Sequence, residues 1–68
     1  MPLFVVKVPG DDVAKTTRVA EKLAAQGAKP VGDPYSVPGK DALFFNVEAR
    51  GDKDTVQNIA GSDAAVSN

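Results

Sequence analysis

The order of local patterns along this 68-residue chain constrains its fold more than any other feature. Patterns typical of strand, helix, strand, strand, helix and strand follow one another within this short length. The corresponding residues are, in chain order, 4–8, 12–26, 31–39, 42–49, 53–60 and 64–66. Because consecutive elements usually lie side by side and crossovers are right-handed, only a few topologies accommodate this order.

The first helix has clear signals at both ends. Asp11 or Asp12 can act as its N-cap, because a carboxylate accepts hydrogen bonds from free amides and complements the helix dipole. Gly27 suits the left-handed conformation that often ends a helix. A second, weaker helix is predicted to begin after Asp52 and to end at Gly61. Residues of the first helix predicted to face the core are Val13, Thr16, Ala20, Leu23 and Ala24, with Val19 beside them.

Alternation in the strands separates two faces of a sheet. In the first strand, Phe4, Val6 and Val8 are predicted to face the helices. The segment at 31–37 contains prolines, so it is predicted to be an edge strand interrupted near residues 33–34, and residues 38–41 form a turn into the next strand. In that next strand the residues predicted to face the core are Leu43, Phe45, Val47 and Ala49. The opposite face of the sheet is predicted to carry Leu3, Val5, Lys7, Phe44, Asn46, Glu48 and Arg50.

These elements predict one α+β domain spanning residues 1–68. The expected architecture is a two-layer, ferredoxin-like βαββαβ plait, in which an antiparallel four-stranded sheet carries both helices on one face. The other face is then bare and partly apolar. An apolar patch framed by polar groups often marks an interface, although scattered apolar surface is also ordinary in proteins.

Composition argues against several classes of function. The chain has no cysteine and no histidine, so the commonest metal ligands and general base are missing, and neither an enzyme, a metal site nor a cofactor is expected. The acidic residues at 11–12 and at 52 and 54 are explained by helix capping. A net charge of −1 without a basic stripe argues against nucleic-acid binding. No membrane span or signal peptide is evident, and a cytoplasmic location is expected.

Four stretches resemble one protein family. They are residues 1–6 (MPLFVV), residues 24–29 (AAQGAK), residues 35–44 (YSVPGKDALF) and residues 59–66 (IAGSDAAV). These stretches are similar to the first strand, the helix end, the tyrosine-containing hairpin and the last elements of subtilisin-propeptide-like protease inhibitors of the fungal type.

The resemblance implies that the chain docks on a subtilisin-type serine protease and inhibits it. In that family the bare sheet face contacts helices of the protease, and a C-terminal tail occupies the active-site cleft. The docking residues implied here are Leu3, Val5, Phe44, Asn46 and Glu48. The tail residues implied are Ala65, Val66, Ser67 and Asn68, with Asn68 nearest the catalytic serine and Ala65 in the fourth subsite.

The resemblance is incomplete at the C-terminal end. The family's last strand leads into an acidic stretch and an extended tail, whereas this sequence stops where that strand begins. Either residues 65–68 serve as a shortened tail, or docking depends on the sheet face alone.

Two other functions are compatible with the same element order. One is an amino-acid-binding regulatory domain of the ACT type, whose ligand site would include residues 9–12, although the two aspartates there would repel a ligand carboxylate. The other is self-association through the apolar face or a free strand edge. The chain is accordingly expected to be a monomer or a weak homodimer.

Overall fold

The computed structural model of the chain describes residues 1–68. It contains four strands, two α-helices and a short 3-10 helix. Their bounds are β1 Leu3–Pro9, α1 Val13–Ala25, β2 Lys29–Ser36, β3 Ala42–Glu48, α2 Lys53–Ala60, the 3-10 helix Gly61–Asp63, and β4 Ala65–Ser67. The strands form one antiparallel sheet in the order β2-β3-β1-β4. The predicted α+β, ferredoxin-like βαββαβ plait is therefore confirmed.

Both ends of α1 follow the predicted capping chemistry. The Asp12 carboxylate accepts a hydrogen bond from the Lys15 amide at 3.0 Å, so Asp12 is the N-cap. Gly27 has a φ of +90° after the last helical turn. This left-handed residue lets the Ala28 amide donate to the Leu23 carbonyl at 2.9 Å, which closes the helix end.

The buried stripe of α1 is narrower than the sequence predicted. Thr16, Val19 and Leu23 are buried. Val13 lies in the first turn and is 68% exposed, and Ala24 is also exposed, so the prediction that these two residues face the core is wrong. The helix rests on the sheet only along positions separated by three or four residues, and Ala24 lies one position off that stripe.

The core lies between the helices and one face of the sheet. Phe45 of β3 is opposite Val6 of β1, and both are almost completely buried. Val56 and Ala60 of α2 belong to the same cluster. The strand alternation predicted for β1 and for residues 45, 47 and 49 is therefore confirmed, since these side chains lie on the covered face.

Strand β2 is an irregular edge strand, as predicted, but it begins two residues earlier, at Lys29. Val31 pairs with Asn46 and Tyr35 pairs with Phe44, so three residues of β2, 32–34, lie opposite the single residue Phe45 of β3. The extra residues form a bulge. After β2, the Lys40 amide donates to the Val37 carbonyl at 3.0 Å in the turn that leads to β3.

Candidate protein-binding face

The face of the sheet opposite the helices is hereafter called the open face. Directly opposed residues of antiparallel strands point to the same side, so the strand register determines which side chains are neighbours there. An aromatic row contains Tyr35, Phe44, Lys7 and Ala65. A middle row contains Val31, Asn46, Val5 and Ser67. A charged row contains Lys29, Glu48 and Leu3.

Two aromatic side chains stack on the open face. The ring centroids of Tyr35 and Phe44 are 5.9 Å apart and their planes differ by 18°. The Tyr35 hydroxyl donates a hydrogen bond to Oδ1 of Asn46 at 3.3 Å. Stacking and the hydrogen bond restrict both rings, so a partner would find them already positioned.

The open face combines exposed apolar surface with a few charges. Leu3 is 57% exposed, and Val31 and Tyr35 are each 41% exposed. Val5 and Phe44 are half-buried by their neighbours on the sheet. Apolar side chains occur in all three rows, and charged ones lie only in the two end rows. Such a mixture of aromatic, aliphatic and a few charged residues is typical of protein–protein interfaces.

The structure brings most of the residues implied by the resemblance onto this one surface. Leu3, Val5, Phe44, Asn46 and Glu48 all lie on the open face. Ala65 and Ser67 join them, since they pair with Lys7 and Val5 of β1.

Val66 has a different position from the one implied. Its side chain is 7% exposed and belongs to the core cluster, opposite Val6. Val66 is therefore a core residue of this fold, and its implied place in a protease cleft stays a prediction that would require this packing to open. The physical reason is strand pairing: residues Ala65–Ser67 form β4, which alternates like any other strand. Asn68 follows β4, is exposed, and lines a cleft that Pro2 and Asp52 also line.

Arg50 also lies elsewhere than predicted. Strand β3 ends at Glu48, so the alternation does not continue to Arg50. Arg50 instead lines a cleft of about 400 Å³ on the helix side, between Gln26 at the end of α1 and Thr55 in the first turn of α2.

Sequence reasoning missed three residues of the open face, Lys29, Val31 and Tyr35. The prolines and glycine of β2 obscured its alternation, and the bulge could not be placed without the partner strand. The sequence signal was the even spacing, four residues, between the apolar residues Val31 and Tyr35, which is compatible with one face of a strand.

Sequence reasoning also missed Gln57, whose side chain forms hydrogen bonds with the backbone at the outer edge of β4. Its Nε2 donates to the carbonyls of Gly61 at 3.0 Å and Ala64 at 2.8 Å. Its Oε1 accepts from the Val66 amide at 2.8 Å. The side-chain amide thus occupies backbone groups that would otherwise be free to pair with another strand. No local pattern in the sequence distinguishes this glutamine from a solvated one.

Both edges of the sheet are unsuited to adding a strand. At the β4 edge, Gln57 already bonds two backbone groups, the Ala64 carbonyl and the Val66 amide. At the β2 edge, Pro30 and Pro34 have no amide hydrogen and the bulge interrupts the pairing. The open face is therefore the surface of the sheet best able to receive a partner.

The acidic residues at the helix starts have structural roles. The Asp52 carboxylate accepts hydrogen bonds from the amide and hydroxyl of Thr55, each at 2.9 Å. These bonds hold the pKa of Asp52 below its ordinary value of 3.8. No three acidic side chains lie close enough together to hold a metal ion.

Searches of protein-family models, curated proteins and solved structures find no match for this chain. Neither helix is both long enough and apolar enough to cross a membrane.

Proposed function

We propose that this chain is a non-enzymatic binding module whose open face docks on a subtilisin-type serine protease. The observation that carries the proposal is the stacked pair of Tyr35 and Phe44 on an uncovered sheet face with exposed apolar neighbours. The class of partner comes from the sequence resemblance described above. The cysteine-free composition supports a cytoplasmic location for this activity.

The open face can bind without a large loss of conformational freedom. Phe44 lies on a central strand, and Tyr35 is held by stacking and by Asn46. Immobilising a free side chain at an interface costs about 0.5–1.5 kcal/mol, and much of that cost is avoided when the side chain is already restricted. Removing Leu3 and Val31 from water would supply additional binding free energy.

Docking and inhibition place different demands on the chain. Docking needs only the open face. Inhibition also needs the active-site cleft to be occupied, and Val66, one of the residues implied for that role, is packed in the core. Binding is therefore the primary test of the proposal, and inhibition is measured separately.

The experiment is a binding titration with subtilisin whose catalytic serine has been chemically blocked, so that digestion cannot interfere. Phe44→Arg should weaken binding at least 100-fold, because it removes the stacked ring and places a charge between Tyr35 and Lys7 in the aromatic row. Ala24→Arg is the matched control: it introduces the same side chain at an exposed position on α1, and its affinity should stay within about threefold of the parent.

Two outcomes would contradict the proposal. One is no saturable binding by the parent chain. The other is equal binding by the Phe44→Arg variant, which would mean that docking uses another surface. A parallel assay of active subtilisin, with a gel to follow cleavage of the chain, then shows whether the docked module also inhibits.

A further inference from the structure

The distribution of charge on the open face bears on what covers it when no protease is present. Lys7 lies in the aromatic row on β1, whereas Glu48 lies in the charged row on β3. They sit on adjacent strands and four positions apart, because Lys7 is opposite Phe44. At about 3.4 Å per residue this separates them by roughly 14 Å along the strands, too far for an ion pair within one copy.

A two-fold rotation brings these charges together. The rotation axis lies midway between two stacked open faces, is perpendicular to the strands and passes between the two middle rows. It places the aromatic row of one copy on the charged row of the other. Each strand then lies over its own counterpart, so Lys7 lies over Leu3 of the second copy and one strand, about 4.8 Å, to the side of its Glu48. The long lysine side chain spans this offset, and the symmetry repeats the contact. The same rotation places Lys29 over the ring of Tyr35 of the second copy, a cation–π geometry.

The apolar residues are compatible with the same arrangement. The middle row lies on the axis, so Val5 and Val31 meet their own counterparts. Exposed apolar surface, which is unfavourable in water, becomes covered on both copies. The net charge of −1 per chain means that two copies repel each other only weakly.

We propose that the free protein forms a weak, symmetric dimer in which two open faces stack in this antiparallel arrangement. The second copy does not add a strand to the sheet, because Gln57 closes one edge and prolines interrupt the other. The face is the surface that remains. This inference concerns the protein alone; only its consequence, that dimerisation competes with protease docking, rests on the proposed function.

The size of the face indicates a reversible association. Four strands about 4.8 Å apart, with three rows of side chains, present an area of roughly 20 by 20 Å. That is about 400 Å² per copy, compared with the roughly 800 Å² per partner typical of stable complexes. The dimer should therefore form at high protein concentration and dissociate on dilution, which leaves the open face free.

Sedimentation equilibrium of the complete chain tests the association. The monomer has a mass of 7.0 kDa. The average mass should stay near that value at about 5 μM and approach twice that value at about 1 mM. A mass that remains 7.0 kDa at 1 mM would overturn the proposal. A mass above that of a dimer would do the same, since this symmetric contact closes after two copies.

Charge reversal tests the geometry. Lys7→Glu alone and Glu48→Lys alone should each abolish dimerisation, because each creates two like-charge contacts. An equimolar mixture of the two variants should form a heterodimer, in which both contacts regain opposite charges. Lys53→Glu, an exposed change in α2 with the same change in net charge as Lys7→Glu, should dimerise like the parent. Parent-like dimerisation of both reversed variants, or a mixture that stays monomeric, would overturn the proposed arrangement.

Discussion

Replacing Gln57 by methionine should detach β4 from the rest of the fold. Methionine has a similar length but provides neither the two donor contacts to Gly61 and Ala64 nor the acceptor contact to Val66. Hydrogen bonds contribute about 0.5–1.5 kcal/mol each to stability, so three of them sum to about 1.5–4.5 kcal/mol. Because these groups lie near a sheet edge, water can replace part of the loss. We expect a decrease of about 2–3 kcal/mol.

This decrease is a large fraction of the total stability. Small domains are stabilised by roughly 0.05–0.15 kcal/mol per residue, which corresponds to about 3–10 kcal/mol for a chain of 68 residues. The free energy of unfolding is measured by urea titration. Amide hydrogen exchange should also show loss of protection in β4 and in the paired residues of β1, such as Val5.

The matched control for this variant is Asn58→Met on the same helix. Asn58 is exposed, so the substitution introduces the same side chain without removing contacts to β4. Its stability should lie within about 0.5 kcal/mol of the parent, as is usual for surface changes. If the Gln57→Met variant were no less stable than the Asn58→Met variant, the proposed role of the glutamine amide in holding β4 would be refuted.

Three further predictions follow from the core, a helix end and a cap. Phe45→Ala should lower the free energy of unfolding by about 3–5 kcal/mol in urea titrations, because it empties the most buried aromatic site. The control Phe44→Ala, on the open face, should cost less than half as much. Equal losses would contradict the faces assigned to these two residues. Gly27→Ala should lower the free energy of unfolding by about 1 kcal/mol from backbone strain alone, since nothing lies within 4 Å of an added Cβ. An unchanged thermal midpoint would argue against the left-handed helix end. The lowered pKa of Asp52 means that its ionised form stabilises the fold at pH values above 3.8, and that this contribution disappears as the pH falls through the lowered folded-state pKa. Stability measured between pH 7 and 2 should therefore fall more steeply for the parent than for Asp52→Asn; parallel curves would contradict this.

The sequence predicted the framework of the fold well because its signals are local. Asp12 and Gly27 act within one helical turn of the residues they cap. Strand alternation in β1 depends only on neighbouring residues, so Phe4 and Val6 could be assigned to the core. Placing Phe44 on the opposite face followed from the same periodicity.

Predictions failed where a local pattern stopped, or where burial depended on whether another element packs over the residue. Val13 has the spacing of a core residue, but its exposure depends on whether another element covers the first turn of α1. Arg50 follows the parity of β3, but the strand ends two residues before it. Val66 belongs to a predicted terminal strand, and the resemblance also implied a tail role for it, but its partner strand could not be foreseen locally, since Val6 is about sixty positions away.

The sequence alone thus determined the order of the elements, the helix ends and the two sides of the central strands, since each depends on interactions between residues close in the chain. Only the tertiary structure decided the character of the open face and the closure of the β4 edge. The bulge in β2 sets Tyr35 opposite Phe44, and the Tyr35 hydroxyl reaches Asn46 eleven residues away. Gln57 gains its role only when β4 lies beside α2. Such contacts join residues that are distant in the sequence, and local propensity does not encode which of these residues become neighbours.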